Sequence, residues 1–268
     1  MYETLAVERD KHLTALTLNR PDALNALSRR MVNELRDFFW NLAEDTETRV
    51  VIVRGAGRAF CAGLDLKEAG DGSGEVERAA GVPAALRSQR HIAELMMLMR
   101  RAPQPIIAAV KGAASGGGFA IALASDVRIA GESARMNAAF IRLGLSACDV
   151  GVSYFLPRIV GASVASELLL TGDFIDAARA ERTGLVSRVV PDAELDAAAR
   201  EMAGRMLRNA PLALRLSKEA LKHNLDAPSL EAAIAMEDRN QVLTAGTRDF
   251  REGIAAFLQK RPPVFEDR

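Results

Sequence analysis

Three consecutive glycines, Gly116-Gly117-Gly118, follow the apolar run Ile106-Ile107-Ala108-Ala109-Val110 and precede Phe119-Ala120-Ile121-Ala122-Leu123. The β-branched run reads as a buried strand, Gly112 breaks it, and small residues then resume with a helical pattern. A strand feeding a helix through glycines presents unpaired backbone N–H groups at the positive end of the helix dipole, and glycine lets a ligand approach them closely. Such donors stabilise negative charge developing on a substrate oxygen. The plain structural alternative is that the glycines only allow tight helix packing, and the run by itself leaves both readings open.

Side chains able to move a proton are few. Asp65 stands in Phe60-Cys61-Ala62-Gly63-Leu64-Asp65-Leu66 and reads first as a helix cap or an ion-pair partner. Asp149 lies in Gly144-Leu145-Ser146-Ala147-Cys148-Asp149-Val150-Gly151 and could cap the next helix or act as a proton carrier. An apolar ring beside it, Phe140, would strip water from the carboxylate and raise its pKa toward the range of a proton shuttle. His91 falls on a helix and reads first as a structural histidine. Cys61 and Cys148 form neither a metal-binding spacing nor a disulfide framework and are expected to be reduced.

The elements that must hold these residues follow from pattern. Thr4 to Asp10 and Leu13 to Asn19 alternate as a hairpin, and Ser28 is placed to cap a helix carrying Met31, Leu35, Phe38, Phe39 and Leu42 on one face. Val50 to Val53 is apolar enough to be buried on both sheet faces. The following Gly55-Ala56-Gly57 suggests a dinucleotide site, but Phe60 stands where a third glycine is needed, so that reading is set aside. Ala69 to Gly81 reads as a mobile loop. A helix from Pro83 to Arg101 should bury Leu86, Ile92, Leu95, Met96 and Met99, and strands are expected at Val127 to Ala130, Arg135 to Ala138 and Val186 to Val190. Helices dominate the rest, over Ser153 to Val160, Val164 to Leu170, Asp176 to Arg182, Glu194 to Leu207, Leu212 to Asn224, Leu230 to Leu243 and Thr247 to Leu258.

With 268 residues and 49% hydrophobic content the chain can bury a full core. Aromatic content of 5% leaves Ala, Leu and Val to build it, which suits helices packed closely on sheets. Lys+Arg and Asp+Glu balance at 35 each, giving no argument for nucleic acid or a membrane surface as partner. The absence of a long apolar span and of a secretory pattern at the start leads to the expectation of a cytoplasmic protein. No metal site and no separate cofactor are expected.

Four segments together carry a resemblance: Asn19-Arg20-Pro21 through Leu27, Phe60 through Leu66, Val110-Lys111-Gly112 through Gly118, and Thr183-Gly184-Leu185-Val186-Ser187-Arg188-Val189. In order and spacing they resemble the crotonase, or enoyl-CoA hydratase/isomerase, superfamily. The resemblance implies an α/β spiral of strand-strand-helix units over residues 1–190 and a helical C-terminal trimerisation region over residues 191–268. The implied assembly is a homotrimer or a dimer of trimers. The implied ligand is an acyl-CoA thioester, with CoA entering as part of the substrate. The family's oxyanion hole maps to the backbone N–H groups of Leu64 and Gly117. Ala23, Leu24, Ala62, Asp65 and Leu66 would line the CoA path, with Phe257 and Lys260 reaching CoA in a neighbouring subunit.

The chain departs from the hydratase pattern where that pattern has two glutamates, because Ala120 and Phe140 occupy those places. Neither can transfer a proton, so two-carboxylate hydration is not expected. The stretch Asp149-Val150-Gly151 through Leu156-Pro157-Arg158 resembles that holding the catalytic aspartate of dienoyl-CoA isomerases. Isomerisation needs only one carrier, which Asp149 could supply. Phe119, Phe140, Leu143 and Phe155 suggest a hydrophobic acyl pocket. The competing expectations are hydration by another mechanism, hydrolysis or dehalogenation using Asp149, and acyl-CoA binding without turnover.

Overall fold

The computed structural model describes residues 2–70 and 81–268. The predicted loop from Ala69 to Gly81 therefore lies mostly outside the described residues. At its borders, a short helix ends at Gly70 and Gly81 precedes the next one.

The chain opens with the antiparallel hairpin β1 (Leu5–Asp10) and β2 (Leu13–Leu18), turned by Lys11 in a left-handed conformation. Ser28 then caps α1 (Arg29–Leu42), its hydroxyl accepting from Met31 N at 3.1 Å. Strand β3 (Val50–Gly55) pairs parallel with β2, and beyond the short α2 (Leu66–Gly70) the long α3 (Val82–Arg101) leads into β4 (Ile106–Val110). Of the residues predicted to be buried on α3, Leu95, Met96 and Met99 are buried and Ile92 packs against them, but Leu86 is 47% exposed. The first turns of α3 border a cleft rather than the core, so the periodic pattern meets no apolar partner there.

Two units then repeat. In the first, β4, β5 (Ala113–Ser115) and α4 (Gly117–Ala124) follow one another; in the second, β6 (Val127–Gly131), β7 (Arg135–Asn137) and α5 (Val152–Val160) do so. Strand β4 pairs parallel with β6 in a six-stranded sheet, while β5 pairs parallel with β7 in a three-stranded one. Each turn of the chain thus adds one strand to each sheet, which is a spiral of strand-strand-helix units. After α6 (Ala162–Thr171), β8 (Ile175–Asp176) and α7 (Ala177–Arg182), strand β9 (Arg188–Val190) closes the large sheet in the order β1-β2-β3-β4-β6-β9.

Both faces of the large sheet are covered. Val51, Val53, Ile106, Ala108 and Val110 point into the core shared with α1, α3 and α4, whereas Val50, Ile52, Ile107 and Ala109 face α8 (Leu195–Leu207) through Leu195, Ala198, Ala199 and Ala203. The alternation follows from the period of two in a strand, and small alanines let α8 lie close. Removing a side chain such as Ile52 to Ala costs about 2–5 kcal/mol at such a position. The remaining helices, α9 (Pro211–Asn224), α10 (Leu230–Ala245) and α11 (Arg248–Leu258), leave many large apolar side chains exposed. Among the described residues no helix is long and apolar enough to cross a membrane.

Candidate active site

The glycine junction is built around a close backbone approach. Cys61 N donates to Ala113 O at 3.0 Å and Ser115 N donates to Cys61 O at 2.9 Å, so the segment after β3 runs alongside β5. A Cβ on Gly118 would stand 2.2 Å from Cys61 O, and one on Gly63 would stand 2.8 Å from Ser115 O and 3.6 Å from Gly117 N. Glycine at both positions lets the turn ending at Gly63-Leu64 reach the first turn of α4. Gly63 and Gly116 also adopt positive φ, at 94° and 51°, which side chains with a Cβ rarely accept.

Two amides are left over by this pairing. Leu27 N donates to Gly63 O at 2.7 Å and Asp65 N donates to Leu27 O at 3.1 Å, so the bonds of this bridge use the residues on either side of Leu64. The N–H of Leu64 itself has no acceptor among the described residues, and neither has that of Gly117, the first residue of α4. The Leu64 side chain is 46% exposed at the edge of a cleft of about 570 Å³ between α1, α2 and α3.

The loop before α1 is fixed to the same turn. Leu24 and Asn25 both take left-handed backbone angles, with φ of 51° and 56°. Asn25 is fully buried; its amide nitrogen donates to Ala56 O and Ala59 O, both at 2.8 Å, and its oxygen accepts from Arg20 N at 2.9 Å. Ala62 N donates to Leu24 O at 3.0 Å, which joins Ala23-Leu24 to Ala62. Arg20 pairs with Asp65 at 2.8 Å, while Asp65 also accepts from the amides of Lys67 and Glu68. Burial pushes the Asp65 carboxyl up, but the Arg20 guanidinium and these amides outweigh it and hold it below the usual aspartate range. Asp65 is thus an ion-pair partner and the cap of α2, and Leu66 begins that helix 55% exposed.

The family model for enoyl-CoA hydratase/isomerase matches residues 8–268. The chain belongs to that family. A curated relative from Mycobacterium tuberculosis (strain ATCC 25618 / H37Rv), named probable enoyl-CoA hydratase EchA12, is 41% identical over 256 residues, covering 95% of this chain and 90% of its own. The 2,3-dehydroadipyl-CoA hydratase of Escherichia coli (strain K12) is 38% identical, covering 98% of this chain and 99% of its own. Among solved structures, the enoyl-CoA hydratase from Bacillus anthracis superposes with a TM-score of 0.91 at 36% identity, covering 99% of this chain and all of that one. Like other members of the enoyl-CoA hydratase/isomerase family, the chain has the crotonase fold and is an acyl-CoA enzyme.

Ala120 and Phe140, expected at the two places where the hydratase pattern has glutamates, cannot carry a proton. Ala120 is fully buried in α4, and Phe140 lies in a 3-10 helix (Ala139–Leu143) with its ring 3.5 Å from where a Gly116 Cβ would be. Phe140 therefore stands over the glycine junction. Of the other predicted pocket residues, Phe119 is enclosed in the core and Leu143 is 54% exposed.

Asp149 is half-buried and does not cap the helix that follows. The residue preceding α5 is Gly151, and no side chain caps it. Instead the Asp149 carboxylate accepts from Val150 N at 2.8 Å and from the Gln89 amide of α3. Burial raises its pKa above the ordinary aspartate value, against these two donors, which lower it. Val150 adopts φ of 40°, a strained conformation for a β-branched residue, directly beside the carboxylate.

The predicted site residues do not all gather in one place. Leu64 and Asp65 line the cleft with His91, Ala23, Leu24 and Ala62 form the adjoining turn, and Asp149 touches α3 through Gln89 without lining that cleft. Phe257, 83% exposed on α11, and the exposed Lys260 do not line it either, and the neighbouring Arg261 is held by Glu252. His91 contacts Arg36 and Asn33, and burial, then the Arg36 charge, lowers its pKa. Asn25 and Gln89 were not singled out by sequence. Asn25 had a faint signal, a polar residue between Leu24 and Ala26 after a proline; Gln89 had none.

Proposed function

We propose that this chain moves a carbon–carbon double bond along an acyl-CoA thioester, with Asp149 as the single proton carrier. The Leu64 and Gly117 amides receive the thioester oxygen. The Asp149 carboxylate takes a proton from the α-carbon of a 3-enoyl thioester, and the electron pair moves onto the oxygen as an enolate held by the two N–H groups. Asp149 then returns the proton at the γ-carbon, giving the 2-enoyl thioester. A donor of this kind contributes about 3–4 kcal/mol to such a barrier.

The observation that carries the reading is the environment of Asp149: a half-buried carboxylate with raised pKa, held by Gln89 and not used as a helix cap, in a chain where Ala120 and Phe140 are expected at the hydratase positions. A proton shuttle needs a pKa near its working pH, and desolvation moves it that way. Hydration by another mechanism is the second reading, since relatives are named as hydratases. Parallel assays with crotonyl-CoA and a 3-enoyl-CoA separate them. Isomerisation abolished by Asp149→Asn, with weak hydration, supports the proposal; strong hydration insensitive to Asp149→Asn overturns it.

We also propose self-association through α9 to α11 into a trimer or a dimer of trimers, residues 191–268 forming the associating region. Its support is the exposed apolar face of these helices, Phe257 and Leu258 included. Phe257 and Lys260 would then meet CoA bound to a neighbouring subunit.

A further inference from the structure

Gln89, Met96, Met97 and Arg100 share one face of α3 by their helical spacing. On this face lies a cavity of about 490 Å³, lined by Met96, Met97 and Phe155 and by Val150 and Gly151, which follow Asp149 directly. A second cavity of about 330 Å³ adjoins it, the two sharing Arg100, Tyr154, Phe155 and Lys222. The lining of the first cavity is apolar at Met96, Met97, Val150 and Phe155 and cationic at Arg100 and Lys222.

The cations there outnumber the anions. Asp126 is already engaged by Ile106 N at 2.8 Å and Lys218 at 2.7 Å, with Arg100 more distant at 3.5 Å. Asp226, at the border of the first cavity with His223, is held by Tyr154 and Arg158. Arg128 bonds only carbonyl oxygens, and Lys222 has no hydrogen bond or ion pair among the described residues. Burial lowers the Lys218 ammonium and pushes Arg128 down to about 10, both against the pull of Asp126 and with repulsion from Arg100. Uncompensated charge in a half-buried cavity is costly, and an anion entering it removes that cost.

We infer that the acyl group of the substrate ends in a carboxylate, which lies between Arg100 and Lys222 while the carbon chain runs over Met96, Met97 and Phe155 back to Asp149. The inference rests on the reading that Asp149 works on an acyl-CoA thioester. It narrows the substrate class to CoA monothioesters of dicarboxylic acids. A methyl-terminated chain would leave Lys222 without a partner, and a carboxylate would pair with it and with Arg100, which Asp126 holds only at 3.5 Å.

The test is calorimetric binding of saturated thioesters, which have no double bond to move. Dicarboxylic monothioesters from glutaryl-CoA to sebacoyl-CoA are compared with methyl-terminated thioesters of equal length. At least one dicarboxylic member should bind about tenfold more tightly than its counterpart. Lys222→Met should bring that ratio toward one, and Lys222→Arg should restore it. The inference is overturned if no dicarboxylic member binds more tightly than its counterpart, or if Lys222→Met leaves the preference intact. Failure of the Asp149 reading shows separately, in the Asp149→Asn turnover assay, because binding of saturated thioesters does not depend on proton transfer.

Discussion

The Gln89 amide donates to the Asp149 carboxylate at 2.5 Å, joining the middle of α3 to the loop that enters α5. Sixty residues separate the two in the chain, so only the folded spiral brings them together. The bond stabilises the charged form of a carboxylate whose burial disfavours it. Its direction follows from the chemistry of the pair: an amide N–H donates to a carboxylate oxygen and fixes which way it points.

Gln89→Leu should therefore slow the proposed isomerisation about three- to tenfold, the equivalent of one lost hydrogen bond near 1 kcal/mol. A shuttle that accepts a proton must first be ionised, so kcat/KM should fall on the acid side at a pKa above the ordinary aspartate value of about 4. Losing a donor to the charged form moves that acid limb to still higher pH. A pH–rate profile of wild type and variant checks this. A limb that stays in place while kcat falls would mean Gln89 acts only through packing.

Replacing Gly117 by proline removes its N–H, and proline is tolerated at the first position of a helix. Gly117→Ala is the control, since a Cβ there would stand 2.7 Å from Leu27 Cδ1 and both variants carry one. Gly117→Pro should lower kcat about 100- to 1000-fold relative to Gly117→Ala. Equal rates for the two would remove Gly117 from the oxyanion role.

Much of the fold could be read locally. The β1–β2 hairpin, the Ser28 cap and the doubly buried Val50 to Val53 strand declare themselves through alternation, capping chemistry and apolar runs, all set by neighbours in sequence. Leu86 misled because helical periodicity says which face a residue is on, not whether another element covers it. The tight turn of the candidate site was legible where backbone geometry demands glycine, at Gly116 to Gly118. It was not legible where a polar side chain finds a distant partner: Asn25 reaches Ala56 and Ala59, and Gln89 reaches Asp149. Nothing local in either residue type announces such a bond.

Arg20 and Asp65 tie the loop before α1 to the turn that carries Leu64. The folded state holds Asp65 below its unfolded pKa, so the pair contributes stability above about pH 4, and this is lost as pH falls through the folded value. Asp65→Asn should cost about 1–2 kcal/mol at pH 7, lowering Tm by about 2–6 °C. The gap to wild type should close on acidification. Thermal melts across pH 3 to 7 check the sign, and a gap that widens toward acid would contradict it.

The outward face of α11 presents Phe250, Ile254, Phe257 and Leu258, spaced by four, three and one residues, with exposures of 48, 48, 83 and 74%. That spacing is a helical stripe, and Leu221 on α9 and Leu225 just after it add further apolar surface at 66 and 58% exposure. The proposed self-association would cover this exposed apolar surface. Burying one such side chain contributes about 1.5–3 kcal/mol, and a carboxylate in its place would have to lose its water without a partner. Sedimentation velocity should therefore find wild type at three or six times the protomer mass, and the double variant Phe257→Asp, Leu258→Asp as a folded monomer. If Phe257 and Lys260 reach CoA across the interface, that monomer should also bind acyl-CoA more weakly than the assembled protein. A wild-type protein that sediments as a monomer would leave the stripe without this role.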